Sequence, residues 1–450
     1  ETFVATAPVM LDYFEKHTPL ETQRVSNLHD YYKAIRDRVP GCKDFSRTIE
    51  PKPFPAREML GDWADRIAAR STLLSLGADT TLKEDETARG RGGEPVSLEV
   101  LAERERAGVR VKGAALVGAL LHTIIERGGD VRVSSPAQRL VTNDEGAVIG
   151  VVVDGPDASR AIGARQGVVL ACGGFEWNRD MVLAYLGYDV QPLSPGGNTG
   201  DGHVMAMEVR AQMGNMGSYW GQGASFDPAV VRSDGRLMPQ MMRGLGAGSI
   251  IVNGRGERFT DVALTYNDFP KVFGNFDEKL PGRPNLPPAW VVFGAAVRAR
   301  GPILTVRPND PTPEWMHESD TLSELAERIG VDAEGLHAAV ARYDADAATG
   351  VDSQFGAANP SPIGAGPYYA VQQWPATLGT NGGCRIDGDG RVLGVGGEVI
   401  DGLYAAGNTT AAVLGGGYLG GGTPIACGMT FGYLAGGHVA ATPRREIGAG

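Results

Sequence analysis

The chain has 450 residues, of which 42 are basic and 53 acidic, so its formal net charge is −11. An acidic chain without a basic run is a poor candidate for binding nucleic acid or an anionic membrane surface, and its longest nearly apolar stretch, Ala114–Ile125, falls well short of the roughly 20 residues of a membrane span. The 65 glycines are about twice the usual share of ~7%, and their clustering indicates tight turns and close approach of backbone to a ligand.

The N-terminal half predicts helices interrupted by short strands. Residues 8–36 are predicted to be mostly helical, with a first helix that begins at Pro8 and ends before Pro19, because proline suits a first turn and cannot continue a helix. An apolar helix is predicted over Ala114–Arg127, where two glycines follow. Strands are predicted over Val131–Val133, Ala147–Val153 and Gly167–Ala171, the last being a continuous apolar run typical of a strand buried on both faces.

The C-terminal half continues the mixture. Its predicted elements are a glycine turn at 196–202 with a helix through Ala211, a hairpin over Ser249–Thr260 that turns at Asn253-Gly254, two helices over 320–347 split at Gly330, a strand and turn over Gly402–Gly407, and a closing helix over Pro424–Ala441. This order predicts a mixed α/β fold, and the length predicts two or three units.

One literal Gly-x-Gly-x-x-Gly pattern occurs at Gly415–Gly420. A dinucleotide fingerprint needs a strand before it and an acidic residue about 20 positions later, and this pattern has neither. The whole closing block is more informative: Gly402–Asn408 and Gly415–Gly422 are followed by a helix with Pro424 near its first position. A helix N-terminus behind a glycine loop can present N–H groups to an anion or a carbonyl oxygen.

Four segments carry a family resemblance: this closing block, Gly167–Phe175, Asn198–His203 and Leu378–Gly383. In this order they resemble the flavoproteins related to fumarate reductase and succinate dehydrogenase, and within that superfamily the 3-ketosteroid Δ1-dehydrogenases. The resemblance implies an α/β fold in which a Rossmann-like FAD-binding domain is interrupted by an α+β catalytic cap. The implied limits are 1–226 for the FAD-binding domain, 227–379 for the cap, and 380–450 for the return to the FAD-binding domain.

The family opens with a strand, a Gly-x-Gly-x-x-Gly turn, a helix and an acidic residue for the ribose, upstream of the position that matches Glu1. We therefore expect the FAD-binding domain of this chain to lack its first βαβ unit. Truncation and supply of that segment by a separate chain are both consistent with this expectation.

The resemblance implies FAD as the cofactor. Glycines at the flavin site let the backbone approach the ring system and the phosphates. The residues expected to bind FAD are Ala171, Gly173, Gly174, Asn198, Gly200, Asp201, Gly407, Asn408, Gly422, Thr423 and Pro424.

The resemblance also implies a catalytic set of tyrosines and a backbone amide. Tyr418 and Gly422 match the pair that holds the carbonyl oxygen of the substrate. Tyr266 falls where the family has its proton-abstracting tyrosine. Tyr31 matches the assisting tyrosine, with Tyr32 as a rival. The implied reaction is α,β-dehydrogenation of a 3-ketosteroid or similar cyclic ketone, followed by transfer of electrons to an external acceptor.

Other readings remain open. Fumarate reductases carry a His just before the equivalent of Gly379–Gly383, and this chain has Pro375–Leu378 there, which argues against a dicarboxylate substrate. The alternatives are an ene-reductase, a desaturase of another ring position, or a subunit that is inactive without a nucleotide-binding chain. The four cysteines form no Cys-x-x-Cys pair, so we expect no metal site and a cytoplasmic location. The predicted apolar lining of the substrate slot is Trp220, Phe226 and Phe269.

Overall fold

The computed structural model describes residues 1–26, 28–32, 40–43, 47–67, 80–88, 95–155, 158–232, 235–242, 244–262, 264–278 and 281–446. The chain forms two compact units. The first consists of Glu1–Phe175, Gly197–Ser218 and Asn381–Gly450, and the second of Glu176–Gly196 and Tyr219–Thr380.

The first unit combines helices with small sheets. Its helices are α1 (Thr2–His17), α2 (Ala56–Leu60), α3 (Leu82–Ala88), α4 (Leu98–Arg106), α5 (Lys112–Glu126), α7 (Asp201–Glu208) and α11 (Thr423–Ala441). Its strands are β1 (Thr22–Arg24), β2 (Ile49–Pro51), β3 (Ala137–Thr142), β4 (Val148–Asp154), β5 (Ser159–Gly163), β6 (Val168–Leu170), β8 (Met213–Gly214), β16 (Gly383–Cys384), β17 (Arg391–Leu393) and β18 (Val399–Ala405).

A parallel pair lies at the centre of the first unit. Strand β18 runs parallel to β6, with Leu403 opposite Val168 and Ala405 opposite Leu170, and β17 completes a three-stranded sheet. Leu170 and Leu403 enter a buried core, whereas Val169 is 41% exposed. The predicted strand at 167–171 is therefore confirmed as β6. The prediction that both faces of this strand are buried is wrong, because Val169 is exposed.

The second unit is organised around an eight-stranded sheet. Six strands follow the order β10-β9-β15-β13-β11-β12, and β14 and β7 also pair with β15. The strands are β7 (Gln191–Pro192), β9 (Tyr219–Val231), β10 (Leu237–Met241), β11 (Ser249–Val252), β12 (Arg258–Thr260), β13 (Ala289–Gly294), β14 (Met316–Ser319) and β15 (Tyr368–Thr380). The helices are α6 (Arg179–Leu186), α8 (Ala295–Arg300), α9 (Leu322–Ile329) and α10 (Ala333–Thr349).

Local capping explains the helix pair α9 and α10. The side chain of Thr321 accepts a hydrogen bond from the amide of Glu324, and that of Asp332 accepts one from the amide of Gly335, so each N-terminus is capped. Gly330 ends α9 in the left-handed conformation with φ 68°. The predicted split at Gly330 is confirmed. Apolar residues such as Leu325, at the core side of α9, pack on one face of the sheet.

Three local predictions are wrong. The segment 8–36 is not mostly helical, because α1 ends at His17 and β1 occupies Thr22–Arg24. The strand expected over Val131–Val133 is absent, because Val133 is 50% exposed and pairing begins only at Ala137. Helix α1 begins at Thr2 and contains Pro8 in its interior. Contacts of Tyr13 and Phe14 with Tyr433 on α11 oppose the loss of one helical hydrogen bond at Pro8. Among the described helices, none has both the length and the apolar character that a bilayer crossing requires.

Candidate active site

The glycine-rich loop at 415–422 ends at the first turn of α11. Gly422 precedes that helix with φ 84°, and Gly415 has φ 58°. Both values lie in the left-handed region that favours glycine. A Cβ placed on Gly415 or Gly422 would meet no described atom within 4 Å, so each borders open space. Thr423 Oγ donates a hydrogen bond of 2.7 Å to the carbonyl of Gly420, which fixes the loop against the helix start.

Tyr31 stacks against Tyr418 of this loop. The two ring centroids are 5.6 Å apart with an interplanar angle of 17°. The amide of Tyr31 donates to the carbonyl of Leu419 at 3.2 Å, and a Cβ on Gly421 would lie 3.3 Å from the Tyr31 hydroxyl. The first unit therefore brings Tyr31, Tyr418 and the segment leading to Gly422 together.

Asp30 is a buried carboxylate beside this tyrosine pair that the sequence reasoning missed. It is 5% exposed, and its Oδ2 accepts hydrogen bonds from the amide of Lys43 at 2.9 Å and from Arg47 Nη2 at 2.5 Å. Thr48 Oγ1 donates to the carbonyl of Gly421 at 3.3 Å. In the sequence, an aspartate directly before Tyr31 is only a weak sign of this role, because the hydrogen-bond partners of Asp30 lie at Lys43 and Arg47.

The first unit also brings together three of the segments expected to bind FAD. Gly173 has φ 77°, and a Cβ there would lie 2.4 Å from Asn198 Oδ1. The amide of Gly200 donates to the carbonyl of Gly174 at 3.1 Å. Thr409 Oγ1 donates to the carbonyl of Gly173 at 3.0 Å, next to Gly407 and Asn408. The sequence positions 171–174, 198–201 and 407–408 thus form one surface.

Helix α11 crosses this surface at close range. A Cβ on Gly428 would lie 3.3 Å from the Cα of Gly407, so glycine permits the approach. Gly407 has φ 71° with open space beside it, and the first turn of α11 carries no acidic side chain. By contrast, Asp201 lies in the first turn of α7 and accepts from Thr199 Oγ1 at 2.9 Å. Open glycines and an uncompensated helix N-terminus fit a ligand with phosphate and carbonyl oxygens, as in a flavin nucleotide.

Asn381 links the Gly379–Gly383 motif to the glycine loop. It is fully buried, its Nδ2 donates to the carbonyl of Gly415 at 3.2 Å, and its carbonyl accepts from the amide of Ala412 at 2.9 Å. Asn215 Nδ2 also donates to the carbonyl of Ala412, at 2.9 Å. The motif was recognised in the sequence, but this clamping role of its asparagine was not.

Tyr266 belongs to the second unit, between β12 and a 3₁₀ turn over Phe269–Gly274. The backbone on either side of it is held firmly. Thr265 Oγ1 donates to Asp268 Oδ2 at 2.6 Å, and Asn267 Oδ1 accepts from the amide of Gly221 at 3.0 Å. Since Tyr31 and Tyr418 are in the first unit, the approach of Tyr266 to them stays a prediction.

Two of the three aromatic residues expected to line a substrate slot are core residues. Phe269 is fully buried with Ile251 and Phe273, and Trp220 is 2% exposed. Phe269 begins the 3₁₀ turn and Trp220 lies in a continuously buried stretch of β9, so both fill the interior as large aromatics often do. Phe226 remains half-buried.

Burial disfavours the thiolate form of three cysteines, Cys172, Cys384 and Cys427. Burial raises the pKa of Cys384 to about 12 and that of Cys427 to about 11. Burial also raises the pKa of Cys172. These thiols stay protonated near pH 7, which supports small size as the reason for cysteine beside the glycines.

A family model described as an FAD binding domain matches residues 1–425. The chain belongs to this FAD-binding family. It is an FAD-dependent oxidoreductase, and the mixed fold agrees with the FAD-binding fold of its flavoprotein neighbours.

Three proteins illustrate the similarity. A 4-oxocyclohexanecarboxylate 2-dehydrogenase of Sinomonas cyclohexanicum is 36% identical over 95% of this chain and 76% of its own length. A 3-oxosteroid 1-dehydrogenase of Mycobacterium tuberculosis is 33% identical over 98% of this chain and 83% of its own. The crystal structure of 3-ketosteroid delta1-dehydrogenase from Sterolibacterium denitrificans, in complex with 1,4-androstadiene-3,17-dione, has a TM-score of 0.83 and 30% identity, covering 98% of this chain and 85% of that one. The predicted relationship to these dehydrogenases is confirmed.

Proposed function

We propose that the protein dehydrogenates a 3-oxosteroid or a smaller cyclic ketone to the α,β-unsaturated ketone. The observation that carries the proposal is the stack of Tyr31 on Tyr418, in the loop that ends at open Gly422. In this proposal the first unit binds FAD, and residues 227–379 supply the catalytic cap.

The carbonyl oxygen of the substrate is held at the start of α11. The Tyr418 hydroxyl and the Gly422 N–H donate to it, and both bonds strengthen as negative charge develops on that oxygen. The stacked ring of Tyr31 restricts the rotation of Tyr418, so the donor is positioned before the substrate arrives. Gly422 keeps its amide accessible because it has no side chain to cover it.

Tyr266 takes a proton from a ring carbon beside the carbonyl group, as general base. The hydrogen bonds at Thr265 and Asn267 restrict the backbone that carries it. FAD, when bound, accepts the hydride from the neighbouring carbon, and an external acceptor later removes the electrons.

The similarity to a dehydrogenase of 4-oxocyclohexanecarboxylate favours a second candidate substrate, a single-ring ketone with a carboxylate. An ene-reductase acting in the opposite direction stays an alternative. A subunit that needs a separate chain for the N-terminal FAD-binding segment is the alternative from another class. The cytoplasmic location also remains a prediction.

Anaerobic mixing of the purified protein with each ketone tests the proposal. The visible flavin absorbance should bleach with a 3-oxosteroid, with 4-oxocyclohexanecarboxylate, or with both, and the faster of the two identifies the preferred class. Flavin that stays oxidised with every saturated cyclic ketone contradicts the proposal. A colourless protein that turns yellow only with a second chain supports the subunit alternative.

A further inference from the structure

The second unit contains a cavity of about 230 Å³ that the dehydrogenase mechanism does not use. Five aromatic side chains line this aromatic cavity: Phe226, Trp290, Trp315, His317 and Trp374. Its volume lies below the roughly 300 Å³ at which pockets for drug-sized ligands begin. The cavity therefore fits a small group and not a steroid.

Strand register explains why these side chains converge. Trp290 on β13 lies opposite Gln372 on β15, and Trp374 lies opposite Ala224 on β9, two residues before Phe226. His317 on β14 lies opposite Ala370. Because side chains alternate between faces with a period of two, all of these positions point to one face of the sheet.

The rings meet nearly at right angles. Trp374 and Phe226 have an interplanar angle of 86° with centroids 6.0 Å apart, and Trp290 and His317 one of 77° at 5.2 Å. Perpendicular walls present π faces in different directions. A compact, nearly spherical group can contact several of them at once, whereas a flat ring stacks on only one.

The electrostatics of the cavity suit a cation. Of the described residues that line it, none carries a carboxylate, an ammonium or a guanidinium group. Burial and the charge of Arg328 lower the pKa of His317, against an opposing effect of Glu314, so the imidazole is neutral at pH 7. Three tryptophan indoles line the cavity, and the potential above the face of an indole ring is negative.

Two carboxylates adjacent in sequence to the lining add negative charge. Asp227 follows Phe226, and its described partners are the amide of Ala229 and the hydroxyl of Thr305. Glu318 follows His317 and accepts from the hydroxyls of Thr312 and Tyr369. These donors are neutral, and because successive side chains on a strand alternate, both carboxylates belong to the face of the sheet opposite the cavity.

We propose that the aromatic cavity is a second ligand site, which binds a small quaternary ammonium group. Its chemistry is that of an aromatic cage, in which the positive charge spread over methyl groups contacts several π faces. The proposal rests on this cavity alone and not on the ketone chemistry.

Calorimetric titration of the FAD-loaded protein with choline chloride tests the proposal, with 3,3-dimethyl-1-butanol as the uncharged isostere and sodium chloride as the ionic control. Choline should bind at least about tenfold more tightly than the alcohol, because only the cation gains cation–π attraction. Equal binding of the two, binding of the alcohol alone, or no binding of choline overturns the proposal.

Variants locate the site. Trp315→Leu, which removes a half-buried ring outside the strands, should weaken choline binding about tenfold, whereas Trp315→Phe retains most of it. Trp374→Leu should act like Trp315→Leu. Trp63→Leu, the same change at a tryptophan of the first unit, should leave choline binding unchanged. Unaltered affinity in Trp315→Leu with unaltered thermal stability contradicts the assignment.

Discussion

The glycine loop at 415–422 in the first unit and the hairpin region of the second unit, which contains β12 and Tyr266, hold their tyrosines in different ways. Tyr418 is buried and stacks on Tyr31, while Gly415 and Gly422 of its loop border open space with left-handed backbone. Tyr266 is half-buried, and the strand before it is anchored by a buried ion pair. Arg258, on the strand that leads to it, is buried, makes two hydrogen bonds of 2.8 and 2.7 Å to Asp352, and lies over the ring of Tyr343.

This difference shows what each region requires. The glycine loop must leave room for a cofactor and a carbonyl oxygen, so it stays open and is positioned by a few bonds from Asn381 and Thr423. The hairpin region must aim one side chain, so it is held by a buried ion pair. Substitutions should therefore affect binding in the first region, and rate or stability in the second.

The largest effect is expected for the proposed base. Tyr266→Phe removes one hydroxyl and keeps the ring, so folding and flavin content should remain near normal. Loss of a general base lowers kcat by ~10²–10⁴, about 3–5.5 kcal/mol at roughly 1.36 kcal/mol per decade, with KM little changed. Steady-state kinetics under conditions where chemistry limits the rate measure it.

Tyr185→Phe, a change of the same size at a partly exposed residue of the second unit, provides the control. If Tyr266→Phe keeps more than about a tenth of the wild-type kcat, far from the expected loss, Tyr266 is not the base, and Tyr31 becomes the next candidate.

Breaking the buried ion pair should mainly reduce stability. Arg258→Met leaves Asp352 as an unpaired buried carboxylate, which lowers the free energy of unfolding by about 3–5 kcal/mol. Denaturant titration measures this, and the double variant Arg258→Met/Asp352→Leu should recover part of the loss. A single variant as stable as wild type shows that the pair is dispensable.

The same pair predicts acid sensitivity. Burial of Asp352 opposes its ionisation, but the hydrogen bonds from Arg258 together with those from the amides of Ala357 and Phe355 outweigh that effect and hold the pKa of the carboxyl well below its usual range. A carboxyl whose folded-state pKa is depressed contributes stability above its unfolded pKa of about 3.9. That contribution should disappear as the pH falls from about 4 toward the folded pKa. In Asp352→Asn, the unfolding free energy should change less between pH 5 and pH 3 than in wild type.

A side chain added to a glycine of the surface formed by 171–174, 198–201 and 407–408 should reduce flavin binding. Gly173→Val forces a β-branched residue to φ 77° and places its Cβ 2.4 Å from Asn198 Oδ1, so flavin content should fall severely while the far-UV spectrum stays similar. Gly436→Ala, within α11 and facing open space, is the matched control and should retain flavin. Full flavin content in Gly173→Val refutes the placement of FAD.

The smallest effect is expected at Asp30. Asp30→Asn weakens the bonds from Lys43 and Arg47, which is worth about 1–3 kcal/mol of local stability. Since the segment carries Tyr31, KM for the ketone should rise several-fold with little change in flavin content. An unchanged KM shows that Asp30 does not position Tyr31.

How far the sequence predicted these features depends on the range of the interactions. The ends of helices α9 and α10 are set by N-terminal caps and by Gly330, all within a few residues, so their split at Gly330 could be predicted from the sequence. Tyr418 was singled out because glycines surround it. Asp30 and Asn381 act through partners that only the fold brings close, so no local sequence pattern indicates the roles of these two residues.

The aromatic residues show that residue type alone does not distinguish a core position from a cavity-lining one. Phe269 and Phe226 look alike in the sequence, yet one is core and the other lines a cavity. Phe226 lies on β9, where strand register places its side chain on the cavity face, whereas Phe269 begins a 3₁₀ turn that packs into the core. The strand predicted at Val131–Val133 is absent for a related reason. Valines favour a strand only where a partner strand covers them, and strand pairing begins at Ala137.

The central claim is that Tyr418 and Gly422 hold the carbonyl oxygen while Tyr266 removes the proton. Anaerobic single-turnover reduction of the flavin by a 3-oxosteroid, measured over a range of ketone concentrations, separates the two roles. Tyr418→Phe should weaken apparent ketone binding and also slow the bleaching, because a carbonyl donor contacts both ground state and transition state. Tyr266→Phe should slow the bleaching alone, and the double variant should lose less than the sum of the two. Unchanged ketone binding in Tyr418→Phe, together with bleaching at the wild-type rate, would contradict the account.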